Sequence, residues 1–132
     1  MAKYIGAIGV AVSDLDASLE FYTSMIGMVE LQRMELPSMQ QVVLGFEGVR
    51  GPSVLLMRHN DTSVNTKDNP IKLVFYVPDT AGMLEEMRAA NYVIHMEAKS
   101  VEILGGAIVG FAKDPDGYLV ELVQKPPKKS AG

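Results

Sequence analysis

The sequence predicts an α+β fold of two tandem βαβββ modules, and three observations carry that expectation. A strand-like apolar segment running into an Asp occurs twice, at residues 7–12 before Ser13-Asp14 and at residues 72–77 before Pro78-Asp79. Helical periodicity follows each of them. Each half then closes on a similar glycine-led strand, Gly51-Pro52-Ser53-Val54-Leu55-Leu56-Met57 and Gly117-Tyr118-Leu119-Val120-Glu121-Leu122-Val123. Recurrence of the same parts in the same order is the mark of an internal repeat. The alternative is an ordinary α+β sandwich whose halves look alike by chance.

The elements follow in chain order. Asp14 and Asp79 stand where a helix N-cap belongs, with a side-chain oxygen for the first free backbone N–H groups. Pro78 cannot donate to a strand ladder, which helps end the strand before it. Leu15, Leu19, Tyr22 and Ile26 form one helical stripe, and Met83 or Leu84, Met87 and Ala90 form the other. The helices should end at Gly27 and Asn91, residue types that tolerate a left-handed C′ position. Strands are expected near 28–35, 40–46 and 53–59, and again near 92–97, 106–113 and 117–124. The chain is thus read as one domain over 1–124: module one at about 4–59, a polar turn-rich linker at 60–70, and module two at about 71–124. Residues 125–132 are expected to form a polar, flexible tail.

Composition excludes several classes of function. With 48% hydrophobic and 21% charged residues, the chain can build a core and is not a disordered one. A net charge of −4 without a basic stripe argues against nucleic acid. No apolar run reaches the roughly 18–20 residues of a membrane span. The absence of cysteine removes disulfides, thiolate metal sites and cysteine nucleophiles together. No signal-like stretch opens the chain, so the cytoplasm is the expected location.

The most informative segment is Lys113 to Gln124. Asp114-Pro115-Asp116-Gly117 reads as a tight turn, with Pro fixing φ at its second position and Gly supplying the positive φ of its exit. The strand after it is apolar except for Glu121 in its middle. A carboxylate there must face water, pair with a cation or bind a metal.

Val12-Ser13-Asp14-Leu15-Asp16-Ala17-Ser18, Phe21-Tyr22 with Ile26-Gly27-Met28, and Asp114-Pro115-Asp116-Gly117 through Glu121-Leu122 together resemble the vicinal oxygen chelate superfamily. That group includes glyoxalase I, extradiol dioxygenases, methylmalonyl-CoA epimerase and the bleomycin and fosfomycin resistance proteins. The resemblance spans about residues 4–124. It implies that the two modules curl into a U-shaped mixed sheet with the helices outside. In metal-dependent members it implies a divalent ion in the cleft, held by His or Glu from the first and last strand of each module. Carried over by strand register, those positions are Ala7, Leu55, Lys72 and Glu121. Only Glu121 is a ligand type; Ala and Leu lack a donor atom and an ammonium repels a cation. A register shift by one brings in Ile8, Leu56 and Leu73, which serve no better. No family-type metal centre and no cofactor are therefore expected. His59 and His95 are read as a strand-end surface histidine and a half-buried sheet histidine, unless a bend brings either to the site.

Strand alternation then defines the face of the cleft. Lys72, Val74 and Tyr76 share it with Leu119, Glu121 and Val123; Ala7, Gly9 and Ala11 share it with Leu55 and Met57. Ile8, Val10, Val12, Leu73, Phe75, Val77, Val120 and Leu122 are expected beneath the helices. An apolar face with few polar anchors suits a small organic ligand. Lys72 and Glu121 occupy neighbouring metal-site positions in the plan that the resemblance implies, and on that ground are expected to pair. The pair either neutralises Glu121 or works on a substrate, one member taking a proton and the other steadying the oxyanion, with Tyr76 as a hydrogen-bond donor. Candidate catalytic residues are thus Glu121, Lys72 and Tyr76, and candidate ligand-binding residues are Ala7, Gly9, Leu55, Met57, Val74 and Leu119. Loops at 35–40 and 98–105 are expected to rim the pocket, and the apolar, glycine-bearing run 101–106 to cover it. Three functions stay open: a metal-independent lyase or isomerase, a non-catalytic binding or sequestration protein, and a metal-dependent glyoxalase- or dioxygenase-type enzyme. The resemblance also implies a homodimer.

Overall fold

The structure is a computed structural model that describes residues 2–127. Residues 128–132 of the expected tail lie outside the described residues. The chain divides into two compact units, Met1–Asn69 and Pro70–Gly132.

The first unit runs β1 (Ala7–Ala11), α1 (Leu15–Glu20), β2 (Val29–Glu35), β3 (Met39–Gly45) and β4 (Ser53–His59). Its sheet has the order β1-β4-β3-β2, with β1 parallel to β4 and the other pairs antiparallel. Asp14 caps α1 by accepting the Ala17 N–H at 3.1 Å, a contact worth about 1 kcal/mol to a helix. The helix winds on into a π turn, Phe21–Met25. Within it Phe21 and Tyr22 are both fully buried, their rings edge-on at 5.0 Å. The chain then leaves through Gly27 at φ +91°, the left-handed exit the sequence predicts. Val10, Val12, Val42, Leu44 and Leu56 are buried in the core of this unit. Ser18, on the inner side of α1, is buried with a hydroxyl that finds no partner among the described residues.

The second unit repeats the plan as β5 (Lys72–Tyr76), α2 (Thr80–Ala89), β6 (Ile94–Val101), β7 (Ala107–Lys113) and β8 (Leu119–Gln124). Its sheet order is β5-β8-β7-β6, again with the first and last strands parallel. Asp79 caps α2 through the Gly82 N–H at 3.0 Å, and Asn91 takes the left-handed turn at φ +70°. The two sheets agree residue by residue. β1 pairs Gly9 with Leu55 and β5 pairs Val74 with Glu121. Counting back from Val12 and Val77, and on from Gly51 and Gly117, equates the same positions. The repeat is therefore one of register as well as of element order.

Several expectations need correction. Ile8 was expected beneath α1 but is 55% exposed, because it lies near the far end of β1 from the short helix. In α2 the inward stripe is Thr80, Leu84 and Met87, while Ala90 is exposed. The expected rim loop at 98–105 is mostly ordered structure: β6 continues to Val101, and Glu102–Leu104 is a 3-10 turn. The polar run after residue 97 reads as loop, yet two register shifts let it pair with β7 as far as Ala107. Ile103 at its tip is 91% exposed.

Candidate functional site

The Asp114–Gly117 turn sets the position of Glu121. The Asp114 carboxylate accepts the N–H groups of Asp116 at 2.9 Å and Tyr118 at 3.0 Å. Gly117 sits at φ +86°, where a side chain would be strained. Tyr118 is fully buried and anchors the start of β8. The register that results places Glu121 between Val74 of β5 and Phe111 of β7.

Leu119, Glu121 and Val123 alternate onto one face of β8, while Val120 and Leu122 are fully buried on the other. Around Glu121 the face is apolar: Val109, Val123 and Ala107 form a buried cluster, with Met96, Val101 and Phe111 packed against it. The Glu121 side chain is 11% exposed and meets its charge requirement through Lys72, whose Nζ lies 2.9 Å from Oε1. Of the three fates open to that carboxylate, pairing is the one observed. The ammonium also stands 5.8 Å from the centre of the Phe111 ring, within cation–π reach. Half of the Lys72 side chain remains open to solvent, so the amine is both paired and accessible.

Tyr76 lies one alternation beyond Val74 on β5 and is 69% exposed. Its hydroxyl makes no hydrogen bond among the described residues, and its ring lies under Lys125 Nζ at 4.5 Å. Its contact is thus with the amine that follows β8. Val74 is 45% exposed on the same face. His95 is exposed on β6, its ring edge-on to Phe111 at 6.2 Å, and not half-buried as expected. His59 closes β4. Phe111 and Lys125 were missed by the sequence reading. The two-residue alternation on β7 places Phe111 with Val109, which was signal enough; nothing in the sequence marks Lys125.

In the first unit Ala7, Gly9 and Ala11 pair with Ser53, Leu55 and Met57. Gly9 matters for space: a Cβ there would lie 2.9 Å from Met57 Cε and 3.6 Å from Leu55 Cδ2. The absent side chain is the room those two occupy. Ala7 and Leu55 carry no donor atom.

The four positions where the resemblance places metal ligands therefore hold a methyl, an isobutyl, an ammonium and one carboxylate already paired with that ammonium. A structural or catalytic Zn²⁺ needs three or four protein donors, and these four residues supply one carboxylate. No other group of three or more His, Asp or Glu side chains among the described residues is placed to hold one. No helix among them is long and apolar enough to cross a membrane.

Residues 4–122 match the sequence profile of the Glyoxalase/Bleomycin resistance protein/Dioxygenase superfamily. The lactoylglutathione lyase GLX1 of Arabidopsis thaliana is 31% identical over 120 residues, covering 88% of this chain and 42% of its own. The chain thus spans less than half the length of that relative. A probable lactoylglutathione lyase of Vibrio cholerae is 31% identical over 118 residues, covering 86% of this chain and 84% of its own. The structure is similar to that of trypanothione-dependent glyoxalase I from Leishmania major, with a TM-score of 0.79 and 25% identity, covering 94% of this chain and 88% of the other.

Proposed function

The chain belongs to the Glyoxalase/Bleomycin resistance protein/Dioxygenase superfamily, and from that membership we propose that it binds a small organic molecule without the divalent ion of the family's metal-dependent enzymes. The Lys72–Glu121 ion pair carries this reading. An amine in place of a ligand excludes a cation from its neighbourhood and satisfies the only carboxylate in the set. The apolar surroundings of Glu121 favour an organic body, and the open half of Lys72 offers an N–H to an oxygen on it. Val74 and Leu119 are proposed as ligand-binding residues of the second unit, and Ala7, Gly9, Leu55 and Met57 as ligand-binding residues of the first. The chain is proposed to act as a homodimer.

The test joins metal analysis to calorimetry. The purified protein is expected to hold no stoichiometric Ni²⁺ or Zn²⁺ and to gain no lactoylglutathione lyase activity when either is added. Titration with apolar organic molecules bearing one carbonyl or anionic oxygen should give saturable heat that falls in Lys72→Met. A bound ion at one per chain, removable by chelator with loss of activity, would overturn the reading.

The accessible amine favours a second reading, a metal-independent lyase or isomerase. Glu121 would accept a proton from carbon, and Lys72 would stabilise the oxygen that takes up the charge. Glu121→Gln separates the two: a binding protein keeps its ligand, and an enzyme keeps binding but loses turnover.

A further inference from the structure

The first unit contains a hollow that none of the preceding argument uses. It has a volume of about 800 Å³, within the range of organic-ligand pockets. Tyr4, Ile5, Leu31, Phe46 and Val49 supply apolar walls, and Arg50 is the one charged residue lining it. Gly45 adds no side chain of its own to the lining. A register shift between Glu30 and Gln32 interrupts the β2–β3 ladder at Leu31. There Leu31 lies over Gly45, so that a Cβ on Gly45 would come within 2.7 Å of its Cδ1. Bulges of this kind re-aim a side chain.

Arg50 is the informative residue. It makes no hydrogen bond or ion pair among the described residues. Arg33 and Arg88 each pair with a glutamate. A guanidinium with five donors beside exposed apolar side chains is complementary to a molecule with a flat apolar body and a carboxylate at one end.

We propose that this hollow is a binding site for a small aromatic carboxylate, its rings against Tyr4, Leu31, Phe46 and Val49 and its carboxylate on the Arg50 guanidinium. The site stands on residues of the first unit alone and is independent of the Lys72–Glu121 reading.

The test titrates the full chain with 2-naphthoate and with its neutral isostere 2-naphthamide, following backbone amide shifts by NMR. Naphthoate should move Leu31, Gly45, Val49 and Ser53 and bind on the order of tenfold more tightly than the amide, the value of one charge-assisted contact. Arg50→Gln should erase that preference and Arg50→Lys keep part of it. Leu31→Glu, at an exposed edge-strand position, should repel naphthoate more than the amide, which covers the case that Arg50→Gln disturbs the β3–β4 connection. Equal affinity for the two probes, shifts confined to other residues, no binding up to the solubility limit, or a preference that survives Arg50→Gln would each overturn the proposal. So would sedimentation showing that these substitutions alter self-association and leave naphthoate binding unchanged, since a second copy of the chain would then be the occupant.

Discussion

Replacing Lys72 by Met tests whether the ion pair holds Glu121 in place. At 2.9 Å the attraction is about 6 kcal/mol for an effective dielectric of roughly 20 and about 1.4 kcal/mol in bulk water. Neither limit applies. Removing one partner of a fully buried pair costs about 3–5 kcal/mol, and an exposed pair contributes about 0.2–1 kcal/mol. Here the carboxylate is 11% exposed and the amine 49%, so solvent screens one end and leaves the other dry. The expected loss for Lys72→Met is about 1–2 kcal/mol. Most of that is the cost of a lone carboxylate against Val109, Phe111 and Val123. Glu121→Gln in the same chain removes that charge, so the double variant should recover most of the loss. Urea unfolding at neutral pH, read as a double-mutant cycle, measures the coupling. Should Lys72→Met leave stability unchanged, or should the two losses simply add, the carboxylate does not depend on the amine and the account of the site fails.

Other consequences are open to measurement. Ser18→Ala removes a buried hydroxyl without a partner and should stabilise the fold by about 0.5–1.5 kcal/mol in the same unfolding assay. Gly110→Ala should destabilise it by about 1–3 kcal/mol, because a Cβ there would lie 2.5 Å from Leu84 Cδ1 and 3.3 Å from the Met96 carbonyl. Gly9→Ala crowds the flexible end of Met57 and meets Leu55 in ordinary contact, so stability should change by less than about 0.5 kcal/mol while ligand binding in the first unit weakens. The Ser63 hydroxyl, followed by its backbone N–H, holds the Asp61 carboxyl below its usual value of 3.8. A folded value below the unfolded one means that the turn gains from the carboxylate above the unfolded value and loses that gain as pH falls through the folded one. An NMR titration should place the Asp61 midpoint below 3.8, and Ser63→Ala should move it up.

Much of this was legible because the signals were local and occurred twice. Asp14 and Asp79 cap the helices they precede, and Gly27 and Asn91 turn left-handed after them. The register carried over from the family resemblance put Lys72 beside Glu121, and the Asp114–Gly117 turn fixes where β8 begins. What escaped needed three dimensions. Periodicity cannot report how far a six-residue helix reaches along its sheet, which is why Ile8 was misplaced. The polar sequence after Glu97 hid strand continuation, since a register shift leaves no regular pattern. The hollow beside Arg50 is made by a bulge and a turn, so its walls come from residues that share no period.

The π turn of the first helix has a consequence for chain length. On an ordinary helix two adjacent residues point about 100° apart, so both reach the interior only at opposite edges of the inward stripe. A π turn is in effect one extra residue wound into the helix, and here it lets Phe21 and Tyr22 sink together. Deleting a single residue among 23–25 would return the coil to regular pitch and expel one ring from the interior. This stretch should therefore accept changes of letter more readily than changes of number.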